Sequence, residues 1–533
     1  MSSTTPPPSS PSPQAAATAA PPAPKQSAAR VLIRNVLSNW TGLVLNMAVA
    51  FFMSPFLVRN LGDVWYGLWV LIRSTTGYMG MLDGGVRVAI VKFVARADAS
   101  GDTTELNKTV GTALFLYCCV GVIVLIGTIG LAVAFPYLFK VTPDTLSTAR
   151  IVVLIAGVSL SVSLLSSVAG GILTGMQRFD LSNQVGITIL IIRTIVIVAM
   201  VLMGYGIVAL AVTHLSMQLV GWVLINWHAR RIRPDVHIRL SDANVKSAKA
   251  LYGYGSANVI NGFGDLLLFR TGELLAAMFI GPAAVTYYAI AGTLLEYLQK
   301  LVFTMAQTLH PFSSSRQARG DDRSLQMVAL MGTKLCFLIA LPATAGIVIF
   351  GHEFIGAWMG ASYAEQAGPL LIAMAGGRLF WISQSGTSQI LLGAGRHQQA
   401  MLLNVMCGVL SFVGGLVMVR QHGLLGMTIG AAVPIAIIHG LVTPVYAMRT
   451  LKIPLSAYLV EALLRPVAAS IPFVAALLAL EHWFAPTSLL GIAACGVVAA
   501  PTLVVAAYFL AFEREERLRY LHRFVPSTRP RPA

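Results

Sequence analysis

The chain has 533 residues, 56% hydrophobic and only 11% charged, with a mean hydropathy of +0.74. Soluble proteins carry roughly 25% charged residues, so the charges present cannot coat the roughly three or four soluble domains that this length would make. The apolar residues must face lipid, and the net charge of +16 reads first as Lys- and Arg-rich cytoplasmic loops, not as nucleic-acid affinity.

Residues 1–29, rich in Pro, Ala, Ser and Thr with a single Lys25, cannot build a core and are expected to form a disordered cytoplasmic tail. They lack the basic start and apolar stretch of a signal peptide. Apolar runs then recur with short polar breaks. Helices are expected near 36–58, 64–82, 109–135, 150–172, 184–203, 206–227, 252–279, 284–308, 327–350, 368–392, 399–419, 424–447, 464–484 and 487–511. At about 20 residues per span this makes about 14 membrane crossings, and the chain is read as an all-α polytopic membrane protein. The five cysteines (Cys118, Cys119, Cys336, Cys407, Cys495) fall inside apolar runs without metal-ligand spacing and read as core residues.

With both termini placed in the cytoplasm, 28 of the 37 Lys and Arg fall to cytoplasmic segments. Four (Arg59, Lys140, Arg150, Arg420) fall to outer loops, and five (Arg73, Arg193, Arg270, Lys300, Arg378) lie within spans. This bias fixes an N-in, C-in orientation, because one missed span would scramble it.

A long repeat is also visible. Ile172-Leu173-Thr174-Gly175-Met176-Gln177-Arg178 recurs as Ile390-Leu391-Leu392-Gly393-Ala394-Gly395-Arg396, an offset of 218. Leu61-Gly62 before Tyr66 matches Ile280-Gly281 before Tyr287 and Tyr288, and Gly206-Ile207-Val208 matches Gly423-Leu424-Leu425, at offsets of 219 and 217. Two pseudo-symmetric six-helix lobes plus two extra helices follow, with a cleft between the lobes and a pseudo-twofold axis along the membrane normal. The expected divisions are a tail to 29, an N-lobe at 30–228, a cytoplasmic linker at 229–249, a C-lobe at 250–448, two further helices at 449–512 and a basic cytoplasmic tail at 513–533.

Leu61-Gly62-x-x-x-Tyr66-Gly67-Leu68-Trp69, with Gly77-Tyr78 and Leu82-Asp83-Gly84-Gly85 ahead of a basic amphipathic stretch, resembles the first conserved block of bacterial oligosaccharide flippases of the polysaccharide-transporter family. That family belongs to the MOP superfamily, with the multidrug MATE exporters and the lipid II flippases. Gly175–Asp180, Gly351–Tyr363 and Leu392–Arg396 resemble its later turns, so the resemblance runs from about residue 35 to 450. Gly85, where the family more often has Leu-Gly, is a small departure. The resemblance implies a MATE-like fold and alternating access. It also implies transfer of an undecaprenyl-diphosphate-linked oligosaccharide across the bacterial inner membrane for O-antigen, capsule or exopolysaccharide assembly, with polysaccharide polymerase and assembly proteins as further partners.

Such a cargo carries a diphosphate and a hydrated glycan that hydrocarbon rejects, so its carrier needs a wet cationic cavity. Arg73, Arg193, Arg270 and Arg378 are the candidate lining residues, each costing about 2.5 to 3.5 kcal/mol if it faced lipid at mid-span. Structural ion pairing and snorkelling are the alternatives for each. Asp265 and Glu273 flank Arg270, and at 100° per residue all three can face one cavity, which suits H+ or Na+ coupling as well as a static pair. Glu296 and Lys300 read as a structural pair at i, i+4. Asp83, before Gly84-Gly85, reads as a gate or helix-terminus residue that could pair with Arg87. Pro342, Pro434 and Pro444 are candidate hinges.

No Walker A, HExxH or G-x-S-x-G motif is present, and no outer loop exceeds about 15 residues, so the chain is not read as an enzyme. No metal or organic cofactor is expected, and no nucleic-acid partner. A MATE-like cation-coupled exporter and a non-transporting scaffold of a polysaccharide-assembly complex are the alternative readings. The basic excess within the spans favours an anionic cargo over a cationic drug.

Overall fold

The computed structural model describes residues 28–514, 516 and 517. Residues 1–27 and 518–533, which hold most of the expected disordered tail and most of the expected basic cytoplasmic tail, lie outside the described residues. Among the described residues every regular element is helical. The first group comprises α1 (Ala28–Leu61), α2 (Asp63–Gly80), α3 (Val86–Ser100), α4 (Thr103–Leu138), α5 (Pro143–Gly175), α6 (Phe179–Leu202) and α7 (Ile207–Ile232). After a linker come α8 (Val245–Phe269), α9 (Thr271–Phe279), α10 (Pro282–Ala306), α11 (Leu309–Ala318), α12 (Asp322–Met359), α13 (Ala361–Ser383), α14 (Ser385–Gly393), α15 (His397–Ile437) and α16 (Thr443–Leu451). The last group is the short turn α17 (Leu455–Ala457), then α18 (Arg465–Phe484) and α19 (Leu489–Ala506).

Nine helical stretches among the described residues are long and apolar enough to cross a membrane. One of these, Gln398–Leu451, is 54 residues long, about 80 Å at 1.5 Å per residue and more than twice a hydrocarbon core. It reverses where His422 and Gly423 leave helical geometry, at the break expected between 419 and 424. Other helical rods are divided at Gly84-Gly85, Arg270, Gln307-Thr308 and Gln384, and their longer pieces, α2, α8, α10 and α13, of 18 to 25 residues, are not among these nine. A count of fourteen is consistent with this pattern.

Two lobes result. α1 packs on α6, α5 on α4 and α7, and α3 on α4 and α5. In the second lobe α12 packs on α13, α15 on α8 and α13, and α10 on α13, while α18 leans on α12. The linker is stapled to the first lobe: Arg233 binds Asp98 and Asp235, the His237 amide donates to Asn107 at 2.9 Å, and the Asn244 amide donates to Thr112 at 3.0 Å. Hydrogen bonding from Arg233 holds the Asp235 carboxyl below the usual carboxylate range.

The lobes meet mainly along α2 and α10, and α3 against α8. Two glycines make these contacts possible. A Cβ on Gly67 would lie 1.8 Å from the Pro282 carbonyl oxygen, and one on Gly85, at φ +71°, would lie 2.3 Å from the Gly255 oxygen. Only glycine permits backbones to approach this closely.

One charge departs from the sequence tally. Lys334, left there among the cytoplasmic cations, is fully buried in α12 and binds Glu461 at 2.7 Å and Glu516 at 3.2 Å. Arg465 extends the network to Glu461 and Glu513, joining α12 to the helix before α18 and to the end of the described chain. Lys334 falls inside the expected helix 327–350 and belongs with the charges within spans; its carboxylate partners, more than 120 residues away, are what the sequence does not show.

Candidate functional site

α2 begins at Asp63, and Arg73 lies ten residues further on, about 15 Å along the axis. Its side chain is exposed although Leu71, Ile72, Ser74 and Thr75 around it are buried. That pattern marks the wall of a polar cleft, since an arginine facing lipid would be costly. Arg193 on α6 lies about 14 Å below Leu202, and His214 on α7 about 10 Å below Ile207, so the three share one depth. Arg193 Nη1 is 3.4 Å from His214 Nδ1, the Trp69 ring meets the His214 ring edge-on at 6.2 Å, and Arg73 is near enough to act electrostatically on both. No carboxylate pairs with Arg73 or Arg193 among the described residues.

The facing wall comes from the second lobe. Arg270 sits in the break between α8 and α9, where its φ of −114° departs from helical geometry. Its guanidinium reaches Glu273 at 3.3 Å and Glu296 at 3.6 Å, and Glu296 also holds Lys300 at 3.7 Å. The second oxygen of the buried Glu273 accepts a hydrogen bond from Ser74 of α2. Glu273 thus ties the lobes together beside Arg73. Tyr78 adds a second tie, its hydroxyl donating to the Leu266 carbonyl at 3.0 Å and lying 2.7 Å from the Thr271 hydroxyl. Four cations (Arg73, Arg193, Arg270, Lys300) face two carboxylates (Glu273, Glu296), so the cleft carries an excess of positive charge, all of it uncompensated on the first lobe.

Three other residues singled out from the sequence lie apart from this cluster. Arg378 is buried inside the second lobe, donating to the Gly292 carbonyl at 3.3 Å and lying 5.3 Å from the centre of the Phe269 ring. Asp265 turns towards α15 and accepts from Asn404 at 2.9 Å. The helix break at Arg270 defeats the 100° extrapolation that had grouped Asp265 with Glu273. Asp83 accepts from the Tyr117 hydroxyl at the far end of the cleft and from the Arg87 backbone amide, and the Arg87 charge acts on it without a side-chain ion pair among the described residues.

The cleft is sealed at the Asp63 end. The Asp63 carboxylate accepts from Tyr287 at 3.0 Å and from Tyr363, and its carbonyl accepts from Thr286 at 2.7 Å. Phe51 stacks on Trp358 at 5.0 Å, and the Trp358 indole donates to the Phe51 carbonyl at 2.9 Å. Along α10, residues 282–299 are covered, and exposure begins at Lys300. The cleft therefore opens away from Asp63. Neither this latch nor His214 is legible in the sequence: Asp63 looks like a loop carboxylate, and a single histidine in an apolar run looks like core.

A family profile described as polysaccharide biosynthesis protein matches residues 94–367. The uncharacterized membrane protein EpsK of Bacillus subtilis is 22% identical over 92% of this chain and 97% of its own length. Among solved structures, the lipid II flippase MurJ in an inward closed conformation superposes with a TM-score of 0.68 at 13% identity, covering 90% of this chain and 98% of that one. An inward-facing multidrug resistance MATE transporter of the MOP superfamily gives 0.66 at 15%, covering 79% and 98%. These two likenesses concern the fold.

Proposed function

The chain belongs to the polysaccharide biosynthesis protein family and is a multi-pass transporter of the MOP superfamily, and from that premise we propose that it flips an undecaprenyl-diphosphate-linked oligosaccharide from the inner to the outer leaflet of the bacterial cytoplasmic membrane. The Asp83 end is cytoplasmic in this reading, as the cationic loops there require. The observation that carries the proposal is the uncompensated Arg73, Arg193 and His214 wall of the first lobe, at mid-depth in a cleft open towards that end. Two guanidiniums suit a diphosphate through bidentate contacts.

Arg270 is the responsive element. Glu273 and Glu296 hold it while the cleft is empty, and an arriving diphosphate competes with them. A proton taken up by Glu273 weakens its hold on Arg270 and changes its tie to Ser74, which couples substrate and H+ to lobe movement. Asp265, with Asn404, is the alternative coupling site for H+ or Na+. Asp83 with Tyr117 serves as a gate at the cytoplasmic end, Arg378 supports the second lobe's wall from within, and the Asp63 latch is the outer gate. Polymerase and assembly proteins would receive the product. Deletion in the native host tests the reading: a lipid-linked repeat unit should accumulate on the cytoplasmic leaflet, whereas normal glycans with altered drug sensitivity would favour the exporter instead.

A further inference from the structure

We infer that a pocket where the last two helices reach the membrane boundary binds the phosphate headgroup of an anionic phospholipid. The pocket encloses about 500 Å³, and its walls include Arg465 at the start of α18 and Phe509, Leu510, Glu513, Arg514 and Arg517 beyond the end of α19. Three guanidiniums thus share a wall with one carboxylate. Arg465 is held by Glu461 and Glu513, whereas Arg514 and Arg517 have no carboxylate at ion-pair distance among the described residues. Glu516 does not compensate them, since it turns to the buried Lys334 at 3.2 Å. The Arg517 guanidinium lies 5.4 Å from the centre of the Tyr508 ring and 6.0 Å from that of Phe509, and its Nε is buried without an acceptor. A buried N–H left unpaired is costly, and a headgroup oxygen supplies the acceptor it lacks.

Depth in the membrane selects a lipid over a soluble phosphate. α18 runs 20 residues from Arg465, about 30 Å, and the last helical stretch, Leu489–Ala511, runs 23 residues, about 34 Å. A hydrocarbon core is about 30 Å thick, so the pocket sits at its boundary. Lys334, which holds Glu516, is about 36 Å along α12 from Trp358, and this boundary is therefore the one opposite the Asp63 seal. Beside the guanidiniums Phe509 and Leu510 are 62% and 48% exposed, a surface for acyl chains. Charge selects the headgroup: a zwitterionic lipid would bring its ammonium to the same guanidiniums, whereas an anionic lipid brings its phosphate alone. The rest of the chain offers no substitute, because residues 518–533 contain Arg519, Arg523, Arg529 and Arg531 and no Asp or Glu.

The site is independent of the cargo and is tested without transport. Full-length protein carrying Leu510→p-benzoylphenylalanine is reconstituted in vesicles of equal parts phosphatidylglycerol and phosphatidylcholine and irradiated, and its lipid adducts are identified by mass spectrometry. Phosphatidylglycerol adducts should exceed phosphatidylcholine adducts at least about fivefold. Adding Arg514→Gln/Arg517→Gln should bring the ratio to about one. Arg514→Gln alone, at an exposed side chain, should lower it partway and serves where the double variant unfolds. Arg319→Gln/Arg323→Gln, which removes two exposed cations elsewhere at the same end of the molecule, should leave the ratio unchanged. A ratio of about one without the arginine substitutions would overturn the inference, leaving bulk lipid on an unselective surface. A preference that survives Arg514→Gln/Arg517→Gln, or that falls equally in Arg319→Gln/Arg323→Gln, would overturn it too. Inorganic phosphate added to the vesicles should leave the adduct yield unchanged; competition by it would assign the pocket to soluble phosphate and remove the lipid.

Discussion

At the scale of single residues, the cleft separates cations by whether they already have partners. Among the described residues Arg73 and Arg193 have no carboxylate at ion-pair distance, Glu273 acting on Arg73 only at longer range, whereas Arg270 is held between Glu273 and Glu296. Arg73→Ala and Arg193→Ala should each lower transport at least about tenfold, the loss of one charge-assisted contact of about 1.5 kcal/mol or more, while insertion stays normal. Arg73→Lys should recover only part, because an ammonium cannot make the bidentate contact. Glu273→Gln keeps a hydrogen-bond acceptor for Ser74 but removes the charge, so transport by this variant should lose its response to an imposed proton gradient; an unchanged response would assign coupling to Asp265. The in-membrane charges Arg73, Arg270 and Glu273 were legible as chemistry because an ionised group in an apolar run always needs an explanation. His214 and Ser74 were not, since neutral polar groups in such runs are usually satisfied locally. Asp265 was misassigned to the Arg270 group because the helix breaks at Arg270 in a pattern that stays apolar on both sides of it.

At the scale of helices, the close approaches between lobes set what can move. A methyl at position 85 cannot fit 2.3 Å from the Gly255 oxygen, so Gly85→Ala should cost about 1 to 3 kcal/mol through overpacking. Thermal unfolding should report the loss, with Gly42→Ala, which meets nothing within 4 Å, as the neutral comparison. Asp63→Asn weakens acceptance from Tyr287 and Tyr363. It should raise the reactivity of a cysteine placed at Tyr66 towards an impermeant thiol reagent from outside; equal labelling in both backgrounds would remove Asp63 as a gate. Lys334→Ala leaves Glu516 with the Glu513 amide and Glu461 with Arg465, and breaking such a buried pair should cost about 3 kcal/mol. The breaks at Gly84-Gly85 and His422-Gly423 were visible as glycines. Those at Arg270 and Gln384 fall inside spans expected to be continuous, where Gly272 and Gly386, two positions on, are the local signal.

At the scale of the whole molecule, two lobes joined by a stapled linker form a cleft closed at one end by Asp63, Tyr287, Tyr363, Phe51 and Trp358 and open from Lys300 onward. Composition and the 218-residue repeat made the all-helical, two-lobed architecture readable, because each reflects the bilayer or an internal repeat and not a particular contact. The lobe-to-lobe contacts were beyond reach, since they join residues about 200 or more positions apart, such as Ser74 with Glu273 and Asp63 with Thr286. The central claim is that the cationic wall carries a diphosphate-linked glycan across the membrane. Purified protein in sealed proteoliposomes, loaded with a polyprenyl-diphosphate-linked oligosaccharide and assayed for its appearance on the opposite leaflet, measures this directly. Wild type should move the lipid and Arg73→Ala/Arg193→Ala should slow it by at least about a hundredfold; equal rates in the two proteins, or no movement above empty liposomes by wild type, would contradict the account.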